Sequence, residues 1–366
     1  MSKQSETAAA PLDTPIAGHL AVIHVTGDDA ADFLQAQFCN DLSAVSEVQA
    51  QLSGYCNPKG RLFATFYVVQ LGEGRNEFLL VLSADVAEAL CKRLQMFVLR
   101  AAVKFELSMP SSNAGVSASA VWQCSGRLIP QLAAERPESG SEPADGDALW
   151  RPLGVTSEAY CVEVDLPVDN PGQRRVLRIT RASVDASVAS DAASDAASGH
   201  ESTRAEWYLQ DIRAGIPWVT QAVSESLVPQ MLNMQLVDGL SFKKGCYPGQ
   251  EIVARMQYLG KLKRRMYRLK VVPADSSVPV GLMQTGDAVQ MGENAGVGEV
   301  IMLAAVPDRP NASPAGNEYE ALIVLRVDAV PDSDSWHTAE CKIGEVAVTL
   351  SALPLPYSFE SAEVSS

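Results

Sequence analysis

The stretch FKKGCYPGQEIVAR at residues 242–255 constrains this chain more than any other, because it combines a lysine pair, a single thiol, a turn and a helix start. Proline suits the first position of a helix, and an acidic side chain in the first turn suits the helix dipole. We therefore predict a short helix that opens at Pro248, presents Ile252, Met256 and Leu259 on one apolar face, and stops at Gly260.

Cys246 would then stand directly before a helix N-terminus and two residues after Lys244. Both features favour a thiolate over a thiol, so Cys246 is the candidate functional thiol of the chain, without an assigned role. The competing interpretation is that Cys246 is a small buried apolar residue, which is the commonest use of a lone cysteine.

Charge is distributed unevenly along the 366 residues. The whole chain has a formal net charge of −15, yet residues 243–270 hold nine Lys or Arg and one acid, so that this window carries +8 and the rest −23. The overall charge disfavours a general nucleic-acid or anionic-membrane binder, whereas the basic window suggests a local anionic partner. The alternative is a solvated hairpin whose basic side chains face water.

The seven cysteines are odd in number and far apart, with no Cys-x-x-Cys pair. This pattern fits a reducing compartment and provides no local spacing for zinc or an iron–sulfur cluster. The N-terminal residues lack an apolar signal core, and no run approaches the length of a membrane span. We therefore expect a cytoplasmic protein without membrane contacts.

Periodicity and turn residues predict an α+β fold followed by a small β-barrel. Residues 48–56 and 61–70 form a predicted hairpin around the turn NPKG at 57–60, and helices are expected at 84–99 and 203–214. We expect residues 1–17 to be disordered and the Ala/Ser/Asp-rich residues 182–201 to be a flexible insertion.

Common catalytic motifs are missing from the sequence. It contains no Gly-x-Gly-x-x-Gly after a strand, no Walker-type loop and no Gly-x-Ser-x-Gly, and its four histidines are scattered. A hydrolase triad or a metalloenzyme is therefore disfavoured.

Several runs resemble the YgfZ-type folate-binding proteins, which are relatives of the glycine-cleavage aminomethyltransferase. They are KGCY-x-GQE at 244–251, NPKGR at 57–61, DIRAGIP at 211–217 and the opening motif at 27–41, in which Cys39 replaces the usual threonine. By motif the resemblance spans about 18–107 and 203–270. It implies a three-domain aminomethyltransferase-like folate-binding fold, with α+β regions at 18–110 and 111–265 and a C-terminal β-barrel at 266–360.

The resemblance also implies a function and a set of site residues. Similar proteins bind tetrahydrofolate, or a one-carbon derivative of it, in a central channel, and they support the assembly or repair of iron–sulfur enzymes, including a tRNA-modifying one. The implied partners are folate and iron–sulfur client proteins. Carried over residue by residue, the cofactor-binding set is Lys244, Tyr247, Gln250, Glu251, Arg255, Arg213 and Asn57.

Two departures argue against aminomethyl transfer. The transferase relatives carry two aspartates where this chain has Ala64 and Thr65, and a pterin-facing glutamate where it has Arg213. An alanine can neither accept a hydrogen bond nor move a proton. Two alternatives stay open: a one-carbon transferase that uses another acid, and a folate-independent RNA- or protein-binding module that uses the basic window.

Overall fold

The computed structural model describes residues 14–15, 19–110, 121–130, 153–158, 161–167, 173–182, 196–275, 281–307, 318–331 and 340–359. Within this part of the chain the fold is mixed α/β, with one large antiparallel sheet and one closed barrel. No helix among these residues is both long and apolar enough to cross a bilayer.

The sheet contains ten described strands in the order β1-β7-β10-β9-β8-β3-β4-β5-β2-β6. Adjacent strands are antiparallel, and pairing of Gln49 in β3 with Gly154 in β8 joins the two halves. The strands are β1 (Thr14–Pro15), β2 (Leu20–Thr26), β3 (Gln49–Cys56), β4 (Leu62–Gln70), β5 (Glu77–Ser83), β6 (Lys104–Ser108), β7 (Val121–Pro130), β8 (Leu153–Glu158), β9 (Cys161–Leu166) and β10 (Gln173–Ala182).

Helices cover both faces of the sheet. The helices are α1 (Ala30–Gln37), α2 (Ala84–Met96), α3 (Ala196–Ala214) and α4 (Gln250–Leu259), and short 3-10 turns span Leu42–Ala44, Pro229–Leu232, Met234–Leu236 and Val327–Ala329. Side chains alternate along β4: Phe66 and Val68 join the apolar cluster beneath α1 and α2, whereas Tyr67 and Val69 join the cluster beneath α3.

The barrel closes in the order β11-β14-β13-β12-β15-β16. Its interior forms a separate apolar cluster that includes Leu269, Val300 and Ile323. Its strands are β11 (Arg264–Pro273), β12 (Ala288–Met291), β13 (Asn294–Ala305), β14 (Tyr319–Arg326), β15 (Cys341–Ile343) and β16 (Val346–Leu353). The predicted C-terminal barrel is confirmed, and the three-domain division stays a prediction.

Three local predictions need correction. Helix α3 starts at Ala196, seven residues before the predicted start, because the alanine-rich segment propagates the helix; the rest of the predicted insertion, residues 183–195, lies outside the described part. Thr14–Pro15 pairs with β7, although residues 1–17 were expected to be disordered. Helix α2 ends at Met96 rather than near residue 99, and Leu99 is exposed.

Helix α4 also differs from its predicted form. It begins at Gln250, after a left-handed Gly249, and its buried side chain is Val253. Ile252 and Leu259, which were predicted to lie on the apolar face of the helix, are exposed. The prediction failed because α4 buries only Val253. In a ten-residue segment, the spacing of apolar residues does not identify which single position is buried.

Candidate functional site

Lys244 anchors the loop that precedes α4. Its Nζ donates hydrogen bonds to the carbonyls of Gln35 (2.6 Å), Phe38 (2.6 Å) and Asn40 (3.0 Å). These carbonyls lie at and just beyond the C-terminal end of α1, where a cation is favoured. Because an ammonium has three donors, this arrangement leaves none for a ligand. Lys244 therefore clamps the loop to α1.

Burial lowers the pKa of the Lys244 ammonium from its ordinary value to about 8. Between pH 8 and the ordinary lysine pKa of about 10.4, the unfolded chain keeps a proton that the folded chain has lost. This group therefore adds stability as the pH rises through that window and adds no pH dependence below it.

We expect the free energy of unfolding of the wild type, relative to a Lys244→Met variant, to rise between pH 8 and pH 10. The gain should be up to about 1.4 kcal/mol per pH unit, measured by denaturant titration. The matched control is Lys243→Met, because Lys243 is exposed. A Lys244 difference that is as flat with pH as the Lys243 difference would contradict the lowered pKa.

Tyr247 and Gln250 complete the anchored loop. The Tyr247 ring centroid lies 5.4 Å from Lys244 Nζ, and burial raises the pKa of the Tyr247 phenol above its ordinary value. Gln250 Nε2 donates to the Lys244 carbonyl at 3.4 Å, and the Gln250 amide donates to the Tyr247 carbonyl at 3.2 Å. Lys244, Tyr247 and Gln250 therefore stabilise the conformation of the loop that they belong to.

Cys246 lies at the exposed tip of this loop. All seven cysteines are described, and Cys246 alone is classed as exposed. Lys244, which was expected to act on Cys246 as a neighbouring cation, points inward instead. Its amine donates to the α1 carbonyls and does not face the solvent-exposed side of the loop. The structure thus supports accessibility of the Cys246 thiol.

We expect Cys246 to be the first cysteine alkylated when the native protein meets limiting iodoacetamide at neutral pH. Peptide mass spectrometry can rank the seven thiols, and the same reaction in denaturant provides the control. Faster modification of Cys161 or Cys124, which are half-buried, would contradict this expectation.

The Asn57 turn packs directly against the start of α4. Asn57 Oδ1 accepts from the amides of Lys59 (2.9 Å) and Arg61 (3.1 Å). A Cβ atom on Gly249 would lie 2.7 Å from Gly60 Cα, and Gly249 has φ +81°, so only glycine fits there. Two motifs almost 200 residues apart in sequence therefore form one structural unit.

Arg213 contacts the barrel. At the end of α3 its Nε (3.1 Å) and one terminal nitrogen (2.9 Å) donate to Glu320 Oε1, and Arg268 donates to Glu320 Oε2 at 3.0 and 2.6 Å. Glu320 lies in β14, so these ion pairs join α3 to the barrel. Glu251 and Arg255 are exposed on α4.

Sequence reasoning missed a buried charge cluster between β10 and α3. Arg175 is fully buried and donates to Asp211 Oδ1 at 2.8 Å, and its guanidinium carbon lies 4.0 Å from the Trp207 ring centroid. Trp218 Nε1 donates to Asp211 Oδ2 at 2.9 Å. A basic pair on a strand suggests solvent exposure, so the sequence contained no signal for a buried Arg175.

Ala64 and Thr65 face opposite sides of the sheet. Ala64 is fully buried in the apolar cluster beneath α1 and α2. Thr65 Oγ1 donates to the Pro217 carbonyl and accepts from the Val219 amide, both at 2.9 Å. Ala64 therefore offers no acceptor, and the Thr65 hydroxyl is already engaged with the backbone.

No family model matches the chain. The chain is similar to the crystal structure of glycine cleavage system aminomethyltransferase T from Bartonella henselae, with a TM-score of 0.55 and 14% sequence identity. The alignment covers 94% of this chain and 85% of that chain. The predicted aminomethyltransferase-like fold is thereby confirmed at the level of the fold. Among the described residues, no group of three or more His, Cys, Asp and Glu side chains is arranged to hold a metal ion.

Proposed function

We propose that this chain is a tetrahydrofolate-binding accessory protein that supports the assembly or repair of iron–sulfur enzymes, including tRNA-modifying ones. The observation that supports it best is the aminomethyltransferase-like fold. By the motif resemblance, Ala64 and Thr65 stand where the transferase relatives carry two aspartates. The fold and the motifs favour a folate, and the missing carboxylates argue against aminomethyl transfer.

The anchored loop supplies a physical basis for the proposal. Lys244 and Tyr247 fix the backbone from within, and this leaves Cys246 and the α4 side chains Glu251 and Arg255 facing outward. In this proposal Lys244 acts through the position of the loop, and Asn57 acts through the turn that supports Gly249.

The basic window offers fewer free cations than its sequence suggests. Arg268 is paired with Glu320, and Lys270 is paired with Glu318 at 2.6 Å. The exposed members are Lys243, Arg255, Lys261 and Lys263. We propose that these four side chains attract the glutamate carboxylates of a folate tail.

Calorimetric titration with mono- and polyglutamylated tetrahydrofolate tests binding. We expect tighter binding of the longer tail and loss of most of that gain in high salt, because exposed charges are screened over about 10 Å at 0.1 M ionic strength. Lys261→Gln and Lys263→Gln should reduce the gain, whereas the paired Lys270→Gln should change it less. Absence of binding would contradict the proposal, and turnover of an aminomethyl-lipoyl donor would favour the transferase alternative.

The accessory role needs its own experiment. An iron–sulfur enzyme whose cluster has been damaged by oxidation should recover activity faster with the wild-type protein and reduced folate than with Cys246→Ser. The variant should fold normally, because Cys246 is exposed and a serine is close in size. Equal recovery without any added protein would contradict the role.

RNA binding is the second candidate, and one observation favours it. Tyr258 is 60% exposed at the end of α4, close in sequence to Lys261 and Lys263, so an aromatic ring and cations are available for a single strand. Salt-sensitive RNA binding that Tyr258→Ala weakens, together with no folate binding, would favour this candidate.

A further inference from the structure

Cys39 and Cys56 lie on the same face of the backbone near the end of β3 and are both fully buried, and Cys39 contacts the loop 238–247. Phe38 and Tyr55 form an antiparallel bridge, and the Cys39 amide donates to the Gly54 carbonyl at 2.9 Å. Because side chains alternate along extended backbone, Cys39 and Cys56 point to the face opposite Phe38 and Tyr55. Their membership of different apolar clusters agrees with this alternation.

Gly54 lies beside the Cys39 thiol. It is opposite Cys39 and two residues before Cys56, and a Cβ atom on it would lie 2.6 Å from Leu62 Cδ2 and 3.4 Å from Cys39 Sγ, so a larger side chain does not fit there. The interaction between the two neighbouring thiols lowers the pKa of Cys39 and raises that of Cys56. The charge of Lys244 lowers the pKa of Cys39 further. Cys39 is therefore the member of the pair that more readily forms a thiolate.

The residues around Cys39 hold the loop in place. Cys39 Sγ donates to the Gly239 carbonyl at 3.5 Å, and the Ser241 amide donates to the Cys39 carbonyl at 3.1 Å. Lys244 binds the carbonyls on both sides of Cys39, those of Phe38 and Asn40. The thiol pair and the loop that carries Cys246 thus share one set of contacts.

We propose that Cys39 and Cys56 form an oxidation site, which a hydroperoxide converts to a disulfide that loosens the loop 238–247. This inference goes beyond the proposed function and does not depend on folate. It rests on the shared face, the close packing of Cys39 Sγ over Gly54 and the contacts between the Cys39 segment and the loop.

The chemistry balances without any further reactant. The Cys39 thiolate attacks one peroxide oxygen, the O–O bond breaks, and the departing oxygen takes a proton to leave as water or an alcohol. The sulfur of Cys56 then attacks the Cys39 sulfenic acid, the S–O bond breaks, and water leaves with the Cys56 proton. The two thiols lose two electrons in total, and the peroxide gains them. Local opening of the loop admits the small oxidant.

Closing the disulfide must displace the Cys39 segment. Diagonal positions across antiparallel strands lie about 7–8 Å apart, whereas the Cα atoms of a disulfide are usually about 5.5–6 Å apart. The movement shifts the Phe38 and Asn40 carbonyls beneath Lys244, and the Cys39 donor to Gly239 is lost. Oxidation is therefore coupled to the position of Cys246.

The test treats the full-length native protein with hydrogen peroxide, blocks free thiols and maps peptides without reduction. We expect a Cys39–Cys56 linked peptide that also forms in Cys246→Ser and is absent from Cys39→Thr. Amide exchange at Ser241 should become roughly tenfold faster after oxidation, as expected for loss of one or two hydrogen bonds. Dithiothreitol should reverse the change, and peroxide should leave exchange in Cys39→Thr unaffected.

Three results would overturn the proposal. One is full oxidation of Cys246 while Cys39 and Cys56 remain reduced. Another is a Cys39–Cys56 disulfide that forms in denaturant and never in the native protein. The third is a native disulfide with unchanged exchange at Ser241, which would leave the bond without the proposed effect on the loop.

Discussion

Replacing Asp211 with asparagine is expected to lower the free energy of unfolding by about 3–5 kcal/mol. The change nearly preserves size, yet it removes the charge that compensates the fully buried Arg175 guanidinium 2.8 Å away. It also removes one acceptor oxygen from the pair that binds Arg175 and Trp218. An uncompensated buried charge is among the most costly single changes a core can suffer.

Denaturant titration of a double-mutant cycle measures this effect. The variant with both Arg175→Met and Asp211→Leu should be closer in stability to the wild type than Asp211→Asn is, because the charge and its counter-charge leave together. The exposed pair of Arg326 and Asp328 supplies the surface control. Asp328→Asn should leave the free energy of unfolding unchanged within the error of the measurement. Simple additivity of the two buried changes would show that the ion pair is not the source of the effect.

Ala64→Asp is the second change with a large expected effect, and it should destabilise the fold without creating a transferase. Ala64 is fully buried among apolar side chains beneath α1 and α2. Burial in such surroundings raises a carboxyl pKa by up to 3–5 units, so ionisation at pH 7 should cost about 4 kcal/mol or more. Because the folded-state pKa would be raised, this cost should shrink as the pH falls.

Thermal unfolding at pH 5 and pH 7 checks the stability claim. Ala64→Asn is the matched control, since it adds a side chain of similar size without a charge, and its melting temperature should depend less on pH. An Ala64→Asp protein that is as stable as the wild type and turns over an aminomethyl-lipoyl donor would contradict both the burial argument and the proposed accessory role.

Local sequence signals were sufficient to predict the elements whose turn residues and apolar periodicity lie within a short stretch of the chain. The NPKG turn predicted the hairpin of β3 and β4, and alternating short strands predicted the barrel. The short strand β15 and the true start of α3 were missed, since three residues contain too little pattern and alanine extends a helix without a boundary signal.

The candidate site was predictable only in part. The sequence identified Lys244, Cys246 and Asn57 as candidate site residues. The structure places the Asn57 turn against the helix that follows Cys246. It could not show that Lys244 turns inward, because the carbonyls that bind it lie more than 200 residues earlier in the chain.

By itself, the sequence determined the hairpin of β3 and β4, the presence of a C-terminal β-barrel, and which loop carries the candidate functional thiol. The tertiary structure decided which charges are buried: Lys244 against α1, Arg175 against Asp211, and Arg213 with Arg268 around Glu320. The physical reason is that backbone propensity and turn chemistry act between near neighbours, whereas the cost of burying a charge is offset by partners that only the folded chain brings together.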